Sequence, residues 1–186
     1  MKNLKKENEI NSDAVLVGQN FIEGSKIGKC EIYSSKIMNS IVCDGVKIVN
    51  SVLENCVVKN NSTIGPFCYL RNNAFIGKNC RIGDFVEVKN SFLDDGVKAS
   101  HHAYIGDAFV GRNTNIGCGT VFANYNGKIK QKIFVGENVF IGANVNLVAP
   151  IDVGKNSFIA AGTTVREDLE DSTFFVTVLN NKKKKI

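Results

Sequence analysis

The chain has 186 residues, 44% hydrophobic and 22% charged, enough for one well-packed domain and ordinary for a globular protein. Seventeen Gly, two Pro and no Trp, together with many Val and Ile, favour strands and turns over helices. The net charge of +5 is mild; no nucleic-acid recognition motif and no run near membrane-span length accompanies it, so neither kind of partner is expected.

In chain order, Met1 to Ile10 is charged and leads into no apolar core. No signal peptide is read there, and a cytoplasmic location is expected. Residues 1–14 are expected to be a mobile segment. From Val15 to Asn50 the pattern is loose, with Ile22, Ile27-Gly28, Ile32, Ile41 and Val46 suggesting irregular coils. A strict period then begins. Val52, Val58, Ile64, Leu70, Ile76, Ile82 and Val88 fall six apart, as do Val135, Ile141, Leu147, Val153, Ile159 and Val165. Shorter runs are Leu93, Ala99, Ile105 and Val110, Ile116, Phe122.

Gly often follows the aliphatic residue, as in Ile76-Gly77, Ile82-Gly83 and Ile141-Gly142, and is expected to supply the freedom a corner needs. The fifth position is compact: Cys56, Ser62, Cys68, Ala74, Cys80, Val86. Three of the six cysteines fill that slot, and no CxxC pair exists; reduced packing thiols are expected and no metal site. A period of six is neither helical nor a two-residue alternation. It suits a short strand and a corner, three of which close one coil, with each coil burying its neighbour's face. The expected fold is all-β, a hexapeptide-repeat parallel β-helix over 15–170, followed by a short arm and Lys-rich tail over 171–186.

Three places break the period. The step is five from Val88 to Leu93 and from Ile105 to Val110, and thirteen from Phe122 to Val135. The third break, with Asn126-Gly127 as its turn, reads as a loop projecting at 123–132. Binding residues are often found on such loops. The only histidines, His101 and His102, lie between the first two breaks. Arg71 and Lys89 stand eighteen residues apart, which stacks them in adjacent coils; a bound phosphate would relieve their repulsion.

Several ordered stretches carry a resemblance: Ile64-Gly65-Pro66-Phe67, Leu70-Arg71, Phe85-Val86-Glu87-Val88-Lys89, Lys98 to Asp107 with His101-His102 inside it, Asn115 to Thr120, Asn124-Tyr125-Asn126-Gly127 and Leu147-Val148-Ala149-Pro150. Together they resemble the C-terminal domain of the bifunctional N-acetylglucosamine-1-phosphate uridylyltransferase/glucosamine-1-phosphate acetyltransferases, from about Val15 to Val165. The resemblance implies a left-handed coil, a hand that the six-residue step does not itself give. It implies acetyl transfer from acetyl-coenzyme A to an amino-sugar 1-phosphate in UDP-N-acetylglucosamine synthesis. It implies His101 as general base with Glu87 as a carboxylate near it. It implies Arg71 and Lys89 for phosphate, Tyr104 and Asn115 for sugar, and Lys130 on the loop. Cys118, Asn124, Tyr125, Ala143 and Ala161 match the coenzyme side. A homotrimer with sites between subunits follows from the same likeness.

The departures are that Ala143 stands where the family has serine, and Thr177 where its arm has an arginine. The uridylyltransferase half has no counterpart, so that activity is expected to be absent, with a separate uridylyltransferase as a possible partner. Two other functions stay open: a non-catalytic sugar-phosphate or nucleotide-sugar binding homologue, and an acetyltransferase for another amine. A zinc hydro-lyase on the same coil would need three histidine ligands, and two adjacent ones do not supply them.

Overall fold

The computed structural model describes residues 7–176; Thr177 and the Lys-rich tail lie outside them. Among the described residues there is no helix. Twenty-eight short strands form three parallel sheets of nine, ten and nine strands. As far as Thr164–Val165, every third strand joins the same sheet, so the chain visits the first, second and third sheet in turn and climbs one coil per circuit. This is a left-handed parallel β-helix with its core inside the three-sided prism.

The periodic aliphatic residues from Val58 onward point inward and are almost fully buried. Two earlier assignments shift by one residue. Leu53, not Val52, and Val42, not Ile41, face the core, while Val52 is half-buried and Ile41 exposed. The reason is the coil length. Ile27, Ile32, Ile37 and Val42 are all buried and five apart, and Phe21 pairs with Lys36 only fifteen residues on. In the middle, Tyr69 pairs with Glu87 eighteen residues on and Glu87 with Tyr104 seventeen on. A five-residue step is therefore a tighter side of the coil and not a mark of function.

The corners also differ from expectation. Twelve of the eighteen non-glycine residues with positive φ are Asn, so asparagine carries most of the left-handed corners, which its short polar side chain tolerates. The glycines after the aliphatic residues serve another purpose. A Cβ on Gly142 would stand 2.5 Å from the backbone nitrogen of Ala161 in the next coil. Glycine is needed there for close stacking. The compact slot is filled by buried Ser, Cys, Thr and Ala, whose hydroxyls and thiols bond backbone groups: Ser51 Oγ donates to the Val49 carbonyl at 2.6 Å and accepts from the Cys68 amide at 3.1 Å.

The coil runs past both limits expected of it. Glu9–Ile10 pairs with Lys26–Ile27, inside the segment expected to be mobile, because its backbone completes the edge of the first sheet. Phe174–Phe175 pairs with Phe158–Ile159 in the second sheet. The loop leaves after Ala123, the last residue of the strand Val121–Ala123, and Ala108 pairs with Ile133 twenty-five residues on, which is one coil plus the insertion.

Candidate active site

The third sheet is the platform. Alternation along each strand sends one residue inward and its two neighbours outward. The outward pairs in successive coils are Tyr69 with Arg71, Glu87 with Lys89, and Tyr104 with Gly106. Arg71 and Lys89 are direct register partners, as the eighteen-residue spacing predicts. Their repulsion is already offset within the protein. Glu87 Oε1 accepts from Arg71 Nε at 2.8 Å and Nη2 at 2.7 Å, and Lys89 Nζ lies 3.1 Å from Asp107 Oδ2. The second pair is deeply placed, with side chains 8% and 10% exposed.

Asp107 is the centre of this corner. Its carboxylate also accepts from the side-chain amides of Asn90 and Asn124. Burial works against its charge, but the donors Asn90, Lys89 and Asn124 outweigh that and hold its carboxyl below the usual range. Burial likewise opposes the charge on Lys89, yet contacts with Lys130 and Asp107 leave it above the usual lysine value. Lys130 is held below that value by the Lys89 ammonium beside it. The loop that carries it folds back on itself through the Tyr125–Lys130 bridge, with Asn126 Oδ1 accepting from the Lys128 and Ile129 amides. Lys89, Lys130, Asn90, Asn55, Asn72 and Asn73 line a polar groove of about 510 Å³.

The opposite edge of the third sheet is the corner where the second sheet ends. His101 closes the strand Lys98–His101, and its Nδ1 lies 3.0 Å from Asp84 Oδ1. The carboxylate at the histidine is thus Asp84. Glu87, expected there, is held on Arg71 instead, because strand alternation turns it onto the third sheet's face. Above His101 runs a file of small residues, one per coil. The hydrogen bonds Gly119 N to His102 O, Asn144 N to Cys118 O and Gly162 N to Ala143 O stack these turns. Cys118, Ala143 and Ala161 follow His101 in that file, over about 14 Å at ~4.8 Å per coil.

Two expected groupings are not made within one chain. Asn115 lies on the second sheet between Lys98 and Phe140, at the strand end far from the His101 corner. Asn124 and Tyr125 belong to the loop corner with Lys130, while Cys118, Ala143 and Ala161 belong to the histidine corner. Tyr104 leans over Gly106 towards Asn124, its hydroxyl 3.5 Å from the Asn124 amide nitrogen. Asp84 and Asp107 were missed from the sequence. The signal existed: Asp84 is one seventeen-residue coil before His101, and Asp107 is eighteen residues after Lys89.

Similarity to known proteins follows this geometry. A model described as the GMPPB C-terminal domain matches residues 52–124, and one described as the bacterial transferase hexapeptide (six repeats) matches 132–167. The bifunctional protein GlmU of Clostridioides difficile (strain 630) is 48% identical over 170 residues, covering 90% of this chain and 37% of that protein. GlmU of Clostridium novyi (strain NT) is 46% identical, covering 88% and 36%. The chain is a hexapeptide-repeat homologue of GlmU. It spans little more than a third of the length of these GlmU relatives. Among solved structures, a UDP-N-acetylglucosamine acyltransferase from Campylobacter jejuni superposes with a TM-score of 0.59 at 15% identity, covering 87% of this chain and 68% of that one; this likeness is one of fold. Within the GlmU homologue, the first matched segment contains the site from Arg71 to Asn124, the second contains Ala143 and Ala161, and most of the loop falls between them.

Proposed function

We propose that the protein is an N-acetyltransferase that moves an acetyl group from acetyl-coenzyme A to the amine of an amino-sugar phosphate, with glucosamine 1-phosphate as the acceptor, in the cytoplasm and in UDP-N-acetylglucosamine synthesis. These residues are not proposed to transfer a uridylyl group; a separate uridylyltransferase would use the product. The observation that carries the reading is one file: a solvent-facing histidine held by a carboxylate, followed coil after coil by Cys118, Ala143 and Ala161.

A sugar ammonium is no nucleophile until it loses a proton, and imidazole is suited to taking it near neutral pH. His101 is the base. The acyl donor, as co-substrate, supplies the thioester carbonyl and the thiolate that leaves. The small side chains of the file leave room for a thin extended arm along the coil edge. Arg71, Lys89 and Lys130 favour a phosphate, with Glu87 and Asp107 holding the first two in place beforehand. Tyr104 faces the sugar between the two corners. Asn115 and the divided coenzyme side fit a homotrimer in which a second copy completes each site.

The test is release of free thiol from acetyl-coenzyme A with and without glucosamine 1-phosphate, with the oligomeric state measured by light scattering. Acceptor-dependent release by a trimer is expected. No release from a folded trimer, with any amino-sugar phosphate tried, would overturn transfer and leave a binding protein; release with a different amine alone would replace the acceptor.

A further inference from the structure

We infer that Asp84 is the positioning residue for the His101 imidazole, fixing its proton on Nδ1 and leaving Nε2 to act as base. This rests on the proposed function for its kinetics but not for its geometry. The strands Arg81–Asp84 and Lys98–His101 are the only described strands of four residues, and they pair with each other. Their added length carries Asp84 and His101 into register as partners. Gly83 permits it. A Cβ there would collide with the Ser100 carbonyl oxygen of the next coil, so no other residue lets the strands close at this point.

Beyond the pair both coils turn through left-handed residues, Phe85 at φ 57° and His102 at φ 38°. The His102 amide donates to the Asp84 carbonyl at 2.8 Å. The Asp84 backbone is therefore anchored on both sides of its side chain, and the carboxylate is aimed and not merely near. An ionised carboxylate only accepts hydrogen bonds, so the 3.0 Å contact with Nδ1 places the proton on that nitrogen. The lone pair is then on Nε2. When the sugar ammonium gives up a proton, its N–H bond breaks, the nitrogen keeps the electron pair, and the proton bonds to Nε2. The free amine then attacks the thioester carbonyl, the C–N bond forms, the C–S bond breaks, and the nitrogen's second proton leaves to water. The imidazolium faces the Asp84 charge until its own proton passes to the departing thiolate. Glu87 cannot substitute, because its Oε1 is taken twice by Arg71.

The pair is 57% and 42% exposed, so it adds little to fold stability and its loss leaves the coil intact. With Asp84→Ala, kcat for acetyl transfer falls about 10- to 100-fold while KM for both substrates stays within about twofold. Asp84→Asn recovers part of the loss, since its side-chain oxygen still accepts from Nδ1–H without the charge. Glu87→Gln is the control: it changes acceptor KM before kcat. Nitrogen-15 NMR in a His102→Gln background, where His101 is the sole histidine, reads the tautomer directly. The Nδ1-protonated form dominates with Asp84 and loses its preference in Asp84→Ala. An unchanged kcat or an unchanged tautomer in Asp84→Ala would overturn the inference. If the unaltered protein transfers nothing, the proposed function fails, and the tautomer comparison still decides the role of Asp84.

Discussion

The two corners that flank the third sheet are built by the same repeat and are chemically unlike. The histidine corner is open: its imidazole is more than half exposed, its carboxylate pairs with no lysine or arginine among the described residues, and its upper coils offer only small side chains. The loop corner is closed and charged, with three cations and two carboxylates, one ion pair almost buried and an inserted loop folded back beside it. The contrast teaches how a solenoid separates tasks. Under the proposed function, the corner that passes a proton and admits a thin acyl arm stays thin itself. The corner proposed to hold a phosphate is set in advance, because charges already fixed by carboxylates and amides need little reorganisation when a ligand arrives.

If the histidine corner owns the chemistry, His101→Ala gives the largest effect: kcat falls by about 10² to 10⁴ with KM values nearly unchanged, read by the thiol-release assay. Equal losses in kcat and binding would merge the two corners. If the loop corner owns the phosphate, Arg71→Ala raises the KM for glucosamine 1-phosphate roughly 10- to 100-fold, as expected for a lost charge-assisted pair. The KM for acetyl-coenzyme A should not move. Blocking the file sharpens the comparison from the other side. Ala143→Phe raises the KM for acetyl-coenzyme A about tenfold, equivalent to roughly 1.4 kcal/mol, and spares the acceptor.

A smaller effect concerns stability. Asp107→Asn costs about 1–3 kcal/mol at neutral pH in a urea titration, the usual cost of leaving a buried charged partner unsatisfied. The sign with pH follows from the lowered carboxyl. Its contribution is fully present above the ordinary aspartate pKa of about 3.9 and is lost as pH falls through the lower folded value. The gap between the two proteins should therefore close in acid, and a gap that persists there would show that the amide fails for reasons of shape.

Much of this was legible in the sequence, but unevenly. The aliphatic period gave the coil from Val58 onward because in each six residues only the aliphatic position and the compact slot two residues before it face the narrow prism interior. It misplaced Val52 and Ile41 because shorter coils at that end use five-residue sides, a change of pitch that no single residue announces. Arg71 and Lys89 could be stacked by counting, since the one coil between them has three unbroken six-residue sides. Glu87 was set beside the histidine because sequence nearness hides which sheet a residue faces; alternation and a corner at Phe85 send it onto the third sheet with Arg71. Asp84 escaped because the histidine's partner is a coil away and not a neighbour in the chain. Asn115 and the divided coenzyme residues cannot be assembled by counting at all, since no step along one coil carries them across the prism.

Each strand pairs only with the strands one coil before and one coil after, so nothing ties the first turns directly to the last. A strained or opened end can disturb the centre only by passing through every intervening rung. Amide exchange should accordingly be fastest at the two extremities and slowest around Thr63 to Phe122, with protection graded along the axis instead of uniform. His101 sits within that slow stretch. Thermal wear at the ends is thus filtered before it reaches the imidazole, and distance along the stack serves the histidine corner as an insulator.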